Sequence, residues 1–424
     1  MKKSVSSKHH FVYLIVVMTA VLFLGACATA QKPPGASAAS KQMPPRPNLH
    51  TLSLGNPELK DKFVEIGLGD IVRTSDGARI DFETLIQELA QPRVVYLGES
   101  HTSLSIHQFQ TRVIKSLYNL QPSLKIGMEF FQRDSDKALK LWSNGWLTEK
   151  GLMYMTGWYK TGGYNFAYYR PFMNFAREKG LPVIGLNIPR TVLRSISTRG
   201  LDALNDDEKK MVGAVDVNNK EHRELIMQYF GGASMAHGGG GKKAAEARMD
   251  RMYAAQSTWD NVFADSALAA LEDWDGILVV IVGSGHVSYN LGTNRRFVEK
   301  SDLPTATIMP IHVDGKKERV RVVRSIGDYI VGVEADMNPE HFPRFGISGT
   351  DKDGKIVVGM LFPNSLASKA GLKTGDIITA LDGKKLKDAT EMRMRLAIKT
   401  WGDSAQLTVN RDGKSEEITI KAEK

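Results

Sequence analysis

One cysteine, Cys27, is all that 424 residues contain. Neither an intramolecular disulfide nor a zinc site built from several thiolates is available to such a chain. Basic runs with interleaved aromatics are missing too. The formal charge of +9 is spread thinly, which argues against a nucleic-acid partner. Beyond Leu24 no apolar run is long enough to span a bilayer. The compositional bias that keeps chains unfolded is absent as well, since 42% of the residues are hydrophobic and 24% charged. At roughly 150 residues per domain, the length leaves room for two domains or more.

The position of the cysteine explains it. Lys2, Lys3 and Lys8 precede an apolar run, Phe11 to Leu24, that is short for a membrane span. Leu24-Gly25-Ala26-Cys27 follows. Small residues before the scissile bond admit a peptidase, and the thiol can take a diacylglyceryl group. The pattern resembles the processing box of bacterial lipoproteins. That resemblance implies a signal peptide over residues 1–26 and a lipid on Cys27, palmitate among its acyl chains, that holds the mature protein on a membrane surface. Ala28, rather than Asp, comes next. By resemblance to the sorted lipoproteins of Gram-negative bacteria, this implies the periplasmic side of the outer membrane.

Residues 27–50 are rich in Ala, Ser, Pro, Lys and Gln and read as a flexible tether. Strands then alternate with helices. Val94 to Leu97, Lys125 to Phe131, Pro182 to Asn187 and Gly276 to Val282 read as buried strands, and Thr305 to Ile311 as a fifth. Val320 to Val323 reads as a short edge strand. Amphipathic spacing predicts helices over Asp81 to Ala90, Ile106 to Leu120, Pro171 to Lys179 and Ala244 to Glu272. An aromatic insert, Asp134 to Tyr169, reads as mostly helical, and Met235 to Lys243 as a glycine-rich break. The order implies an α/β layered domain with a mainly parallel sheet over residues 51–330. From residue 340 to 424 short strands predominate, which predicts a second, small, mostly β domain.

Chemistry gathers at the strand ends. Gly98-Glu99-Ser100-His101 follows the first strand, Glu129 lies at the end of the second, Asn187 and Arg190 close the third, and Gly283-Ser284-Gly285-His286 follows the fourth. If the strands run parallel, these residues share the carboxyl edge of the sheet, where open α/β sheets bind ligands. Glu99, His101, Glu129 and His286 could hold a divalent metal, move a proton or orient a substrate. Glu129, set between Met128 and Phe130, reads as a buried carboxylate in need of a partner, with Arg133 and Arg170 as candidates.

Val94 to His101, Ile126 to Phe131, Tyr169-Arg170-Pro171, Leu186-Asn187-Ile188-Pro189 and Gly283 to His286 occur in an order that resembles ChaN-like haem-binding lipoproteins. That family shares a superfamily with Tiki-type proteases and erythromycin-esterase-like proteins. The resemblance implies haem binding and iron uptake at the outer membrane, and a homodimer is compatible with it. Haem iron takes His, Tyr, Met or Cys ligands. Tyr164, Tyr168, Tyr169, Arg170 and His237 lie where they could meet a haem. Related branches use Gly-x-x-His turns with a glutamate for hydrolysis. The alternative is therefore a metal-dependent or acid/base hydrolase, with Glu99, His101, Glu129 and His286 as catalytic residues and His101, Glu129 and His286 as metal ligands.

Asn364 to Leu372, Gly375-Asp376-Ile377-Ile378 and Leu381-Asp382-Gly383 resemble a PDZ domain of the bacterial protease-associated type. The resemblance implies a groove for a partner's C-terminal peptide, with Phe345, Gly346 and Ile347 at the carboxylate-binding turn and Met392 on the groove helix. No Ser–His–Asp order typical of the companion proteases precedes it, which excludes a serine protease of that type.

Overall fold

In the computed structural model of this protein, residues 48–234, 241–315, 319–336 and 341–423 are described. Cys27, the leader, nearly all of the tether and His237 lie outside the described residues. Among those described, no helix is long and apolar enough to cross a membrane.

The first domain contains β1 (Phe63–Ile66), β2 (Ile71–Arg73), β3 (Val94–Glu99), β4 (Leu124–Gln132), β5 (Val183–Asn187), β6 (Ile277–Gly283), β7 (Thr305–Val313), β8 (Val320–Val323) and β9 (Tyr329–Glu334). Every residue of β3 and β6 is buried. Strands apolar on both sides belong in the middle of a sheet covered on both faces, and these two are central in the order β2-β9-β7-β3-β6-β4-β5. All neighbours pair parallel except β2 with β9. Alternate side chains feed opposite cores, as the period of two requires.

Val95, Leu97, Val279 and Ile281 pack with α1 (Phe82–Leu89), α2 (Leu104–Leu120), the insert helices α3 (Asp136–Ser143) and α4 (Glu149–Met155), and α5 (Arg170–Lys179). Val94, Tyr96, Leu278 and Val280 pack with α6 (Arg190–Arg199), α7 (Asp206–Val212), α8 (Lys220–Ser234), α9 (Gly241–Leu271) and α10 (Thr293–Val298). Four strands, β3-β6-β4-β5, therefore lie side by side and parallel. Their carboxyl ends make one continuous edge.

Three sequence expectations need correction. First, β8 is not on the edge of the main sheet; it pairs antiparallel with β1 in a separate two-stranded ribbon. Its first half is open to solvent, with Arg321 exposed, and its last two residues, Val322 and Val323, are buried. The place beside β7 belongs to β9, whose Ile330, Val331 and Val333 are buried. Second, Gly98 does not end its strand, because β3 runs on through Glu99. A Cβ on Gly98 would sit 2.9 Å from Ser284 Oγ and 3.2 Å from the Ile308 carbonyl, so the glycine is needed for close approach rather than for a turn. Third, the insert is helical only to Met155; residues 156–169 form turns, with Gly157 and Gly162 at positive φ.

The second domain contains β10 (Ile347–Lys352), β11 (Lys355–Leu361), β12 (Ile377–Leu381), β13 (Lys384–Lys385), β14 (Ser404–Arg411) and β15 (Lys414–Lys421), with α11 (Leu366–Lys369) and α12 (Ala389–Leu396). Its antiparallel sheet runs β10-β11-β12-β14-β15 around its own core. The domain docks on the aromatic insert. Tyr154 Oη donates to Asp388 at 2.9 Å, and the Arg393 guanidinium donates to the Tyr159 carbonyl. Phe342 meets Tyr168 edge-on, with ring centres 4.9 Å apart.

Candidate functional site

Glu99 is the last residue of β3 and stands in register with Gly283, the last of β6. Its carboxylate is almost wholly buried, so it needs donors. Tyr169 Oη donates to it at 2.9 Å and His101 Nδ1 at 2.8 Å. Gln110 Nε2 lies at 3.4 Å and His107 Nδ1 at 3.6 Å, both from the first two turns of α2. Burial alone would raise the Glu99 pKa. The positive field of His107, with the hydrogen bonds from His101 and Tyr169, outweighs it and holds the carboxyl below its ordinary range.

His101 is thereby fixed by one nitrogen. Its Nε2 lies 3.7 Å from Glu129 Oε1, and its ring packs against Phe130 and Tyr164, with centres 5.1 and 4.7 Å away. Glu129 closes the gap between strands: its Oε2 accepts the Gly283 N–H at 2.6 Å. A Cβ on Gly283 would come within 2.9 Å of His101 Cε1, so this glycine lets the imidazole lie against the β6 backbone. Asn187, ending β5, donates to the Glu129 carbonyl at 2.7 Å and accepts from Trp259 Nε1 at 2.9 Å.

The fourth strand end repeats the pattern with a different carboxylate. His286 Nδ1 lies 2.6 Å from Asp260 Oδ1, and Asp260 comes from the middle of α9. Asp260 is fully buried; Thr293 donates to the same Oδ1 at 3.3 Å, and His222 Nε2 of α8 lies 3.1 Å from Oδ2. The Gln256 amide lies 2.8 Å from His286 Nδ1, one helical turn before Asp260. Burial would raise the Asp260 pKa, but His286 and His222 pull it far below the carboxylate range. For His286 the balance is reversed. Burial would lower its pKa, and the Asp260 charge and hydrogen bond raise it; His101 is raised likewise, by Glu129 and Glu99.

A cleft of about 660 Å³ opens at this edge, and Glu99, His101, Glu129, Tyr164 and His286 all line it. Phe130, Trp259, Phe263 and Met309 supply apolar wall, and His50 and His312 line it as well. The other expected residues sit elsewhere. Tyr169 is buried beneath Glu99. Tyr168 faces a second cavity of about 170 Å³, shared with Phe342, Pro343 and Arg344. Arg170 forms a bidentate pair with Glu149, at 2.8 and 2.9 Å, and is not a partner of Glu129. Arg133 is likewise turned away, donating to Ser266 and the Val262 carbonyl.

The expected metal set is not assembled. Among the described residues, no group of three or more His, Cys, Asp or Glu could hold a metal ion. Glu129 is engaged by a backbone N–H, and the carboxylates of Glu99 and Asp260 are spent on imidazole nitrogens. Asp260, His222, Gln256 and His107 escaped the sequence reading. The only signal was the polar run Gln256 to Asn261 inside an otherwise Ala-rich helix.

In the second domain, Phe345 and Gly346 form the turn into β10. Gly346 has φ +74°, and a Cβ there would lie 2.2 Å from Ser365 Cβ. Ile347 is half-buried. Met392 is fully buried, its methyl 2.6 Å from where a Gly349 Cβ would stand, so it fills the floor between α12 and β10.

Residues 85–297, just over half of the chain, match the family model for "Haem-binding uptake, Tiki superfamily, ChaN". Residues 343–422 match that of the PDZ domain. Among curated proteins, the chain is similar to a probable periplasmic serine protease do/HhoA-like of Haemophilus influenzae, 38% identical over 93 residues, which is 22% of this chain and 19% of that protein. It is also similar to the periplasmic pH-dependent serine endoprotease DegQ of Escherichia coli, 36% identical over 87 residues, 18% of this chain and 19% of that one. The chain spans about a fifth of the length of these relatives. Among solved structures, one of Campylobacter jejuni ChaN with cofacial haem aligns with a TM-score of 0.49 and 19% identity, over 65% of this chain and 98% of that one.

The two carboxylate-bound imidazoles make stability depend on pH. Both His101 and His286 have folded pKa values above the ordinary 6.5. Their contribution is fully present below about pH 6.5 and is lost as the pH rises through the higher folded values. Burial lowers the pKa values of His50, His107 and His312, whose contributions run the other way, so the pairing is read as a difference between proteins. From about pH 6 to about pH 9, the melting temperature of wild type should fall relative to that of His286→Gln. An unchanged slope would contradict the His286–Asp260 pairing.

Proposed function

This chain belongs to the haem-binding uptake family of the Tiki superfamily, ChaN, and from that membership we propose that it binds haem in the cleft at the carboxyl edge of its parallel sheet. The volume lies within the roughly 300–1,000 Å³ usual for small-molecule sites, and the aromatic walls suit a flat apolar macrocycle. Haem iron takes His or Tyr side chains. His286 lines the cleft with Nδ1 held by Asp260, which leaves Nε2 for a ligand. A histidine whose second nitrogen is bonded to a carboxylate is the usual form of a metal-ligating imidazole. Tyr164 is the one expected tyrosine that lines the cleft; burial and the nearby Glu129 and Glu99 push its phenol up to about 12. The observation that carries the reading is this pair of cleft residues in a haem-binding family. Bound haem would bring an iron centre with open coordination sites; the chain's own residues bind it, orient it and keep it from water.

In this reading Cys27 carries the lipid, the protein sits on the periplasmic side of the outer membrane, and its cargo serves iron uptake. The PDZ domain takes the C-terminus of a partner. β10 is the terminal strand of its sheet, so a peptide could add to its free edge, and the Phe345-Gly346-Ile347 turn precedes it.

Titrating the soluble protein (residues 28–424) with hemin should give a saturable Soret shift. His286→Ala or Tyr164→Phe should weaken it by about tenfold, the loss of a bond worth roughly 1.4 kcal/mol. A shift that never saturates would sink the haem reading. On the same protein, peptides with a free C-terminus should bind and amidated ones should not.

A second reading is a hydrolase. One observation favours it: two imidazoles facing one cleft, each held at Nδ1 by a buried carboxylate, the arrangement of a general acid and a general base. His101 or Glu99 would take a proton from water, with His286 and Glu129 polarising the substrate. A screen of ester and peptide substrates should then reveal a turnover that His101→Ala reduces by about 100-fold or more. Equal rates in both proteins would exclude this reading.

A further inference from the structure

One wall of the cleft carries a cation that neither reading has used. Arg190 is the first residue of α6, reached from the end of β5 through Ile188 and Pro189. Among the described residues lining the cleft, it is the sole Lys or Arg. Its guanidinium lies over the backbone of Gly162. A Cβ at Gly162 would stand 2.3 Å from Arg190 Nη1 and 2.5 Å from Cζ, and the residue has φ +90°. The guanidinium fills the space a Cβ would take, and the left-handed backbone itself calls for glycine there. The turn of the insert thus provides a seat for the guanidinium.

No anion among the described residues forms an ion pair with the seated cation. Arg190 makes no hydrogen bond or ion pair with any described residue. The carboxylate whose charge reaches it, Glu129, acts only through space and is committed to the Gly283 N–H and His101. Neighbouring arginines differ. Arg170 has Glu149, and Arg133 has Ser266 and a carbonyl. Arg190 remains accessible to solvent while lining a concave, largely apolar wall. Such walls strengthen a charge–charge contact relative to open water. The surrounding protein lowers the Arg190 pKa, with Tyr164 and Glu129 opposing, yet a guanidinium keeps its charge in proteins.

We propose that Arg190 is the carboxylate-binding residue of the cleft and that it fixes which end of a carboxylate-bearing ligand enters first. The guanidinium fork matches a carboxylate through two parallel N–H···O bonds, a geometry that lysine cannot reproduce. The inference rests on the haem reading in that the carboxylate belongs to a propionate arm of the porphyrin. The iron side is then left to His286 and Tyr164.

The test uses two probes, hemin and hemin dimethyl ester, which differ only in the charge of the propionates. Soret titrations would be run on the soluble protein, Arg190→Met and Arg190→Lys. Wild type should prefer hemin over its diester by about tenfold, the scale of one charge-assisted contact. Arg190→Met should lose that preference by binding hemin more weakly, with the diester unaffected, and Arg190→Lys should restore only part of it. Because Arg190 is solvent-accessible and unpaired, neither variant should shift the melting temperature by more than a few degrees. If wild type binds both probes equally, or if Arg190→Met keeps the preference or weakens both probes alike, the inference is overturned and the haem reading stands. If wild type binds neither probe, the haem reading fails and takes the inference with it.

Discussion

Two buried carboxylates, Glu99 and Asp260, hold the two imidazoles that face the cleft, and the rest of the site depends on those contacts. An ionised carboxylate inside a protein is costly unless hydrogen-bonded donors surround it. Glu99 has Tyr169 and His101, with Gln110 and His107 close behind. Asp260 has His286, Thr293 and the nearby His222. These partners come from the turn after β3, α2, the insert, α8, the turn after β6 and α10. Each carboxylate therefore ties the sheet edge to a different side of the domain. The imidazoles are held at Nδ1, and their outer nitrogens are what the cleft offers to chemistry.

Much of this was legible in the sequence. Continuous apolar runs at Val94, Ile126, Val183 and Ile277 mark strands of a sheet covered on both faces, and such sheets are parallel. The polar residues that close those runs must then share one edge. The fold class and the place of Glu99, His101, Glu129 and His286 on the cleft follow from that logic alone. Asp260 was not legible, because a carboxylate on a long helix reads as solvent-facing until the packing of α8 against α9 is known. The tyrosines had the same difficulty. Tyr164, Tyr168 and Tyr169 lie within six residues, yet Tyr164 stands between the cleft and a second cavity, Tyr168 faces that second cavity alone and Tyr169 lies beneath Glu99. Their spacing predicts none of this, since the insert around them is turns rather than helix. β9 was missed for another reason: the short run at Val320 looked like the sheet's edge, but it pairs with β1 in a separate ribbon.

The second domain is joined to the same neighbourhood. Asp336, just past β9, accepts from the Ser103 hydroxyl at 2.7 Å and the Ser105 N–H at 2.6 Å, at the start of the helix that follows His101. Phe342 packs on Tyr168, and Arg393 of α12 reaches both the Tyr159 and the Gly349 carbonyls. The insert is thus a shared wall: one side faces the cleft and the other receives the PDZ domain.

The central claim is that the ligand's metal centre sits among these strand ends. Anomalous diffraction at the iron edge, from crystals of the soluble protein grown with hemin, tests it most directly. The account predicts one dominant iron peak inside the cleft, bounded by Tyr164 on one side and His286 on the other. An iron peak in the second cavity beside Tyr168, or on the outer surface, would contradict it.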